Sequence, residues 1–436
     1  MGGRLVGRSL SRLCTSRSVI DITLPNLPPS FYDEHANLRH VLQAARHHIT
    51  PPDVVLAAVL SRIATTIPVA STIHRSPMNY IVAYVGESGT GKTTGQAVAK
   101  RLIPNVGTEL DGIGIGSGEG IIQSYLQEQK VENDYGDKVT QNVQVHKAAL
   151  FYVDEGEHLL TVGKREGSTT MPILRNAWSG QLLGTSGAKS STTRRLLDNT
   201  YRFVLGVGIQ PNYAVQLLAG KDAGTPQRFV WAYARDPYVP NGPPPTFPSI
   251  LELTPPTPSA FRIDNDIRDI VETRQRDVLR SGKHNDEYES HFTQLQLRTA
   301  VLLGLLCGTD GTVNAFTWNL AAQYLEVSNN IRKALQEYAA MTQRQQVRDK
   351  NVEYVENYLE RDQLKDERGI ARVALLIGKH VNDGPLKRHH VKNRIARRDT
   401  HLFDAAVERA VEHGYITIVI QGDGHELQRG PNPVVT

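Results

Sequence analysis

The residues with the clearest chemical pattern lie in a glycine-rich loop between a predicted strand and a predicted helix. Residues 79–94 read NYIVAYVGESGTGKTT, in which Ile81–Val85 is an apolar strand and Lys92 opens a helix. The segment satisfies GxxxxGK[ST] in the strand–loop–helix context of a phosphate-binding loop. It predicts a nucleotide-binding loop that consists of Gly86, Glu87, Ser88, Gly89, Thr90, Gly91, Lys92, Thr93 and Thr94.

Each residue type in this loop suits a nucleoside triphosphate. Glycines let backbone N–H groups close around the β- and γ-phosphates, and the helix N-terminus adds a partial positive charge. Lys92 brings a positive charge to the transferred phosphate, and the Thr93 hydroxyl is a ligand suited to Mg²⁺. The ligands that this pattern predicts are ATP and Mg²⁺.

A second motif follows 62 residues after Lys92, where the apolar stretch Ala148–Val153 ends in Asp154 and Glu155. A strand buried on both faces would deliver Asp154 beside the phosphate loop to hold Mg²⁺ through water. Glu155 would then polarise the attacking water. Glu157 is a lesser candidate for that second role.

Two further residues are candidates for contact with the γ-phosphate. Gln210 ends the apolar stretch Tyr201–Ile209, at the place where a core strand of such ATPases commonly presents a polar sensor. Arg228 stands in a turn before the strand Phe229–Ala234 and would act as a finger on the nucleotide of a neighbouring subunit. Arg235 is a weaker candidate for the finger, and a structural ion pair is the alternative role of Arg228.

Other charged residues keep two interpretations open. Glu119, in the first turn of a helix that GSGEG opens, either complements the helix dipole or faces the nucleotide. Arg298 either reaches back to the nucleotide or forms a surface salt bridge, and shares a helix face with His291.

The polar segment 160–200 either faces nucleic acid, with Trp178 free to stack, or is a solvated insertion with Trp178 in the core. Its candidate phosphate contacts are Arg175, Lys189, Arg194 and Arg195.

The last residues predict three helices and two short strands, at 370–381, 386–396, 400–413, 415–420 and 425–428. This order is that of a winged helix. Basic residues without an intervening acid concentrate on its second helix, whereas the third helix carries Asp404, Glu408 and Glu412. We therefore expect DNA-backbone contacts rather than base reading, with protein docking as the alternative. The candidate contacts are Lys387, Arg388, Lys392, Arg394, Arg397 and Arg398.

The elements around these residues predict an α/β protein with a P-loop NTPase core, whose parallel sheet is either RecA-like or AAA+-like. The helices Ala315–Met341 and Gln346–Arg361 are predicted in a helical region after the proline-rich segment 237–260, which is either a linker or a strap on the surface. The predicted segments are a disordered basic tail (1–23), lead-in helices (24–70), the ATPase core (71–236), the proline-rich linker (237–260), a helical domain (261–365) and a winged helix (366–436).

Composition limits the remaining possibilities. The 436 residues carry a net charge of only +4, so a nucleic-acid surface has to be local. Two cysteines far apart in sequence do not indicate a disulfide framework or a zinc site. No apolar run is long enough to span a membrane. The acid-free first twenty residues suit either a disordered tail or a transit peptide, and we expect a tail and a cytoplasmic protein of a bacterium or a phage-infected cell.

Several stretches of residues 25–335 resemble the P-loop ATPases of the DUF3987 type. Besides the phosphate loop and the lead-in helices, they are GSGEGI, FYVDEGEHL, GVGIQP and GTPQRFVWA. The resemblance implies a ring-forming, replicative helicase-like ATPase of phages and mobile elements, which acts on DNA beside a primase module.

We therefore expect a Mg²⁺-dependent ATPase that moves on DNA, single-stranded in the first instance, as a homo-oligomeric, hexameric ring with a separate primase. The catalytic residues would be Lys92, Glu155, Gln210 and Arg228, and the metal ligands Thr93 and Asp154. One alternative is an ATP switch that loads a helicase or partitions DNA without unwinding it. The other is a winged-helix DNA-binding regulator whose assembly ATP controls.

Overall fold

The computed structural model describes residues 22–108, 110–132, 138–185, 193–219, 224–253, 256, 260–282, 291–421 and 424–434. The internal contacts of the chain divide it into two units, Met1–Met341 and Thr342–Thr436. The predicted tail at residues 1–21 and the candidate Lys189 lie outside the described residues.

The α-helices of the first unit begin with three lead-in helices and end in a long helix that continues beyond it. They are α1 (Pro29–Asp33), α2 (Ala36–His47), α3 (Pro52–Thr66), α4 (Lys92–Leu102), α5 (Gly118–Gln123), α6 (Gly156–Lys164), α7 (Thr170–Ser179), α8 (Pro211–Leu218), α9 (Asn265–Ser281), α10 (Phe292–Leu306) and α11 (Ala315–His380).

The strands of this unit contain two to eight residues. They are β1 (Thr72–Ile73), β2 (Ser76–Pro77), β3 (Tyr80–Val85), β4 (Asp111–Ile113), β5 (Leu126–Glu132), β6 (Lys138–Gln144), β7 (Ala148–Val153), β8 (Leu183–Thr185), β9 (Arg194–Leu196), β10 (Arg202–Ile209) and β11 (Val230–Tyr233).

Five of these strands form a parallel sheet in the order β11-β3-β10-β7-β4, which confirms the predicted α/β core. Every residue of β3 and of β10 is buried, as continuous apolar runs in a sheet covered on both faces require. Four of these strands, β3, β7, β10 and β11, were predicted from their apolar runs. Because they are parallel, their carboxyl ends meet at one edge, and the loops that follow β3, β7 and β10 come together there.

The lead-in helices pack against this core. Helix α3 is buried from Pro52 to Thr65, in keeping with apolar residues on nearly all of its circumference. Asp53, in its first turn, accepts hydrogen bonds from Asn26 Nδ2 (3.0 Å), Leu27 N (2.9 Å) and the Tyr32 hydroxyl (2.8 Å). The buried carboxylate thereby fixes the extended lead-in to the start of α3.

The proline-rich segment forms a strap over α2, one of its two predicted roles. Its carbonyl groups at Thr246 and Pro245 bond to the side chains of Gln43 (3.0 Å) and His47 (2.7 Å). Because proline lacks an N–H, the strap offers acceptors to side chains instead of joining a sheet.

Segment 160–200 is more structured than its polar composition suggested, because it contains α6, α7 and the hairpin of β8 and β9. Strands β5 and β6 pair antiparallel as a hairpin whose register joins Leu126 to Gln144 and Glu132 to Lys138.

The centre of this region overturns two interpretations. Trp178 is 1 % exposed and therefore belongs to the core rather than to a stacking surface. Arg298 is also buried, with its guanidinium 3.8 Å from the Trp178 ring centroid and hydrogen-bonded to the carbonyl of Asn79 (2.6 Å). It neither lines the nucleotide cleft nor forms a surface salt bridge, because it lies on the part of α10 that is buried from Leu295 to Leu306. Burial lowers the pKa of Arg298 well below its ordinary value.

Helix α11 corrects the prediction of separate helices at 315–341, 346–361 and 370–381. It is continuous because residues 342–368 contain no glycine or proline, and Gly369 lies within the helix. The division between the two units falls within α11, between Met341 and Thr342.

The second unit ends in a small helical and antiparallel domain. After the end of α11 it contains β12 (Leu386–Lys387), α12 (Arg388–Arg394), a 3-10 helix (Arg397–Leu402), α13 (Phe403–Glu412), β13 (Ile416–Gln421) and β14 (Gly424–Arg429). The three strands pair in the order β12-β14-β13 over a core of their own.

Candidate nucleotide site

A cleft of about 410 Å³ lies at the carboxyl edge of the parallel sheet. It brings together the glycine-rich loop after β3, the acidic pair after β7 and Gln210 after β10, so the three sequence-predicted stretches meet in one place. Its lining residues are Ser88, Gly89, Thr90, Gly91, Lys92, Thr93, Thr94, Asp154, Glu155, Gly156, Glu157, Gly208, Gln210 and Tyr213.

The glycines of the loop have a backbone conformation that other residues adopt with strain. Gly89 and Gly91 have φ values of +77° and +87°, in the left-handed region. A Cβ on Gly91 would also lie 2.9 Å from Thr50 Oγ1, whose hydroxyl donates to the Gly91 carbonyl at 3.1 Å. The start of α3 therefore supports the loop from behind, which links the lead-in helices to the cleft.

Lys92 occupies the first position of α4 and points back into the loop. Its Nζ donates to the carbonyl oxygens of Gly86 (2.7 Å) and Glu87 (2.6 Å). Partial burial lowers the pKa of Lys92, while the carboxylates of Asp154 and Glu87 act in the opposite direction. The ammonium group is thus held at the centre of the loop, where the phosphates of a nucleotide would lie.

Thr93 and Asp154 meet directly. The Thr93 hydroxyl donates to Asp154 Oδ1 at 2.8 Å, and the Tyr152 hydroxyl donates to the same oxygen at 3.0 Å. Burial raises the pKa of Tyr152, so its hydroxyl stays a donor at neutral pH. Hydroxyl and carboxylate oxygens are the ligands that a hard cation prefers, and the donor set therefore fits Mg²⁺.

The two glutamates after Asp154 differ in their surroundings. Glu157 accepts a hydrogen bond from the Tyr213 hydroxyl, which raises the pKa of Tyr213. Glu155 caps α6 through its backbone position without a side-chain capping bond, and lines the cleft. Of the two, Glu155 is the carboxylate whose hydrogen-bonding capacity is available for a water molecule.

Close backbone packing holds the acidic pair against the neighbouring strand. A Cβ on Gly208, in β10, would lie 2.5 Å from the Asp154 carbonyl oxygen, and a Cβ on Gly156 would lie 2.7 Å from Ile209. Gln210 immediately follows β10 and begins α8 as its N-cap. Its place in the cleft is that of the predicted sensor, although no described contact assigns it that role.

Arg228 lies away from this cleft. It ends a 3-10 turn (Pro226–Arg228) at the amino end of β11, the opposite edge of the sheet from the phosphate loop. Its guanidinium lies 5.5 Å from the Trp178 ring centroid and bonds to the Gly224 carbonyl. Burial, together with Arg175, lowers the pKa of Arg228 to about 10. Arg235, by contrast, follows β11 at the edge that carries the cleft.

Glu119 forms a hydrogen bond within the protein and lies outside the cleft. It accepts a hydrogen bond from the Thr169 hydroxyl at 2.6 Å, and that bond lowers its pKa. The adjacent Ser117 caps α5 by accepting from the Gly120 N–H at 3.0 Å. Glu119 is not among the residues that line the cleft, so the capping interpretation describes its position.

The first set of candidate DNA contacts, in segment 160–200, contains both exposed and half-buried side chains. Arg194 and Arg195 are exposed on β9, whereas Arg175 is half-buried and donates to the Thr225 hydroxyl at 3.0 Å. The structure thus leaves two accessible cations of this set within the described residues.

The second set surrounds α12 in the small terminal domain. Lys387, Arg394 and Arg397 are exposed. Arg388 and Lys392 are half-buried and face Asp404 at 2.8 and 3.9 Å, and Arg398 lies 3.7 Å from Asp399. The acidic third helix therefore neutralises part of the basic surface of the second.

Sequence reasoning missed Tyr152 and Tyr213. The strand period could have found Tyr152, because residues two apart on a strand share a face and Tyr152 precedes Asp154 by two. Tyr213 carries no comparable signal, since it reaches Glu157 through the packing of α8 against α6.

No group of three or more metal-binding side chains, and no helix with the length and apolar character needed to cross a bilayer, occurs within the described ranges. Comparison with models of known protein families finds no match to this chain. Comparison with curated proteins finds no significant relative.

Proposed function

We propose that the chain is a Mg²⁺-dependent ATP hydrolase. The observation that carries the proposal is the 2.8 Å contact of Thr93 with Asp154 in one cleft with Lys92 and Glu155. Two stretches 62 residues apart in sequence meet at this point. Chance glycine loops do not bring a lysine, a hydroxyl and a carboxylate pair together in this way.

The roles follow from chemistry. Lys92 and the loop N–H groups would bind the phosphates, and Glu155 would orient the attacking water. Thr93 and Asp154 would hold Mg²⁺, which supplies positive charge to the triphosphate and takes its remaining ligands from phosphate and water. Gln210 would contact the γ-phosphate.

On this proposal the five-stranded sheet is a P-loop NTPase core. Strand β10 lies between β3, which leads to the phosphate loop, and β7, which leads to the acidic pair. RecA-like and AAA+-like cores both remain within the proposal. The terminal domain, with three helical segments and a three-stranded antiparallel sheet, has the composition of a winged helix.

We further propose that the ATPase acts on DNA as a ring, in the cytoplasm. The exposed Arg194, Arg195, Lys387, Arg394 and Arg397 supply phosphate contacts. In such a ring Arg228 would serve the nucleotide of another subunit, because it lies at the opposite edge of the sheet from its own cleft; its contacts with Trp178 and Gly224 fit the alternative, a structural role. A helicase loader or partition switch, and a regulator with ATP-controlled assembly, are the alternatives; a primase would be a separate partner.

The neighbouring glutamates provide a matched test. We expect Glu155→Gln to retain ATP binding and to lower turnover about a hundredfold or more, because the water loses its acceptor. Glu157→Gln, two residues away, keeps its bond to Tyr213 and should lower turnover less than threefold. Equal turnover of the two variants, measured by phosphate release and nucleotide binding, would remove Glu155 from the mechanism.

The DNA role is tested separately. A ring motor predicts that single-stranded DNA stimulates turnover and that the protein displaces a strand from a duplex. A loader predicts stimulation without displacement, and a regulator predicts a preferred duplex sequence instead.

A further inference from the structure

One stretch of α11 is exposed on every side. Residues 346–368 are helical, and each of them is exposed. Helices in proteins owe most of their stability to an apolar face packed against a neighbour. A solitary stretch of this length would be expected to be polar all round.

The stretch instead carries an apolar stripe, defined here as Val347, Val352, Tyr354, Val355, Tyr358 and Leu359. Tyr354 is 73 % exposed, Tyr358 61 %, and the other four between 52 and 54 %. The spacings of three and four residues place them on less than half of the circumference of the helix. A stripe of this size on a single exposed helix indicates an interaction surface.

The charges beside the stripe are not evenly distributed. Residues 342–351 contain three basic residues and one acid, a net charge of +2, whereas residues 352–367 contain two basic residues and six acids, a net charge of −4. A shallow groove on the stripe has Arg344 and Arg348 at one end and Glu356 at the other. None of these three forms an ion pair within the described residues.

We propose that the stripe pairs antiparallel with the same stripe of a second copy of this chain. The sequence of charges is self-complementary in that orientation alone. An antiparallel copy centred near residue 353 brings Arg344 and Arg348 of each helix to the acidic end of the other, where Glu356 and Asp362 lie. A parallel copy would place basic against basic and acidic against acidic.

The same pairing covers both apolar halves. Val347 lies near one end of the stripe and Leu359 near the other, so a two-fold axis midway between them, near residue 353, brings Val347 of each chain over Leu359 of the other. The contact is isologous: the same patch is buried on both chains, and the assembly closes as a dimer. It does not depend on nucleotide, and therefore stands apart from the proposed ATPase ring.

Charge reversal tests the orientation. The basic-end variant changes Arg344 and Arg348 to Glu, the acidic-end variant changes Glu356 and Asp362 to Arg, and a third chain carries all four changes. Residues 348 and 356 are about 12 Å apart along one helix, so the four changes cannot compensate within a chain. A control chain changes Gln346 and Lys350, on the opposite face, to Glu.

Sedimentation velocity of the full chain without nucleotide is the measurement. We expect a concentration-dependent dimer, weakened about tenfold or more in each two-residue variant and restored to within about threefold in the four-residue variant. The control and the Lys92→Ala chain should dimerise as the wild type does. Circular dichroism would confirm that each variant is folded.

Three results would overturn the proposal. They are a wild-type monomer up to about 50 µM, a dimer that neither two-residue variant weakens, and a folded four-residue variant that fails to recover. A defect in ATP hydrolysis with the dimer intact would count against the proposed function alone.

Discussion

At the scale of single residues, the cleft depends on one carboxylate oxygen. Thr93 and Tyr152 both donate to Asp154 Oδ1. These two bonds fix the orientation of the carboxylate and therefore the position of its second oxygen, Oδ2. A carboxylate held from two sides keeps its orientation as charge changes nearby, and groups in this supporting position usually affect metal affinity. Tyr152 is therefore a positioning residue.

Tyr152→Phe removes one of these bonds and keeps the ring. We predict that the Mg²⁺ concentration for half-maximal turnover rises about tenfold, with a smaller change in maximal rate. Tyr84→Phe is the control, because Tyr84 is buried on the adjacent part of the sheet, with its ring 6.5 Å from that of Tyr152. Unchanged Mg²⁺ dependence in Tyr152→Phe, measured by metal titration of turnover, would contradict the assignment.

At the scale of elements, α3 connects the lead-in to the phosphate loop, and Asp53 is the residue that joins them. Burial raises the pKa of Asp53 from 3.8 to about 6, against the effect of its three donors. An acid whose pKa is higher in the folded state stabilises folding most below its unfolded pKa. That contribution is lost as the pH rises through the folded value.

We predict a pH-dependent difference between the wild type and Asp53→Asn. Between pH 4 and pH 7 the free energy of unfolding of the wild type should fall by about 2 kcal/mol relative to the variant, because most of the effect of two pKa units falls within this range. Denaturant unfolding of both proteins across this range is the measurement. A constant difference at all pH values would show that Asp53 ionises normally.

The elements also show what a sequence can predict. The buried strands β3, β7, β10 and β11 and the meeting of Lys92 with Asp154 in one cleft follow from apolar runs and from the parallel geometry of the sheet. Trp178 and Arg298 were misread because a tryptophan beside basic residues, and an arginine on an apolar helix, look alike whether exposed or buried. Their burial is decided by the contact between Trp178 on α7 and Arg298 on α10, which is a tertiary contact that the local sequence pattern does not contain.

The continuity of α11 could have been predicted from the absence of glycine and proline between residues 342 and 368.

At the scale of the whole molecule, the chain has two units, with the candidate nucleotide cleft in the first and the basic surface around α12 in the second. A protein that couples ATP to DNA needs both. Because net charge over the chain is only +4, DNA affinity should come from local exposed cations rather than from the overall field.

Replacing Lys387, Arg394 and Arg397 with Gln tests that surface. On single-stranded DNA the slope of log affinity against log salt should fall by about 2, close to 0.7 for each lost phosphate contact, for every sequence tried. The control replaces Arg262, Arg276 and Arg280, which pair with acids in the first unit. Equal slopes, measured by fluorescence anisotropy, would favour protein docking for the terminal domain.

Steady-state ATP turnover of the wild type, Lys92→Ala and Lys130→Ala, each with and without Mg²⁺, tests the central claim most directly. Lys130 is exposed on β5, outside the cleft, and its variant should hydrolyse ATP as the wild type does. The account predicts Mg²⁺-dependent turnover that falls about a hundredfold or more in Lys92→Ala. Turnover of Lys92→Ala equal to that of Lys130→Ala, or a wild type that does not hydrolyse ATP with Mg²⁺ and DNA present, would contradict it.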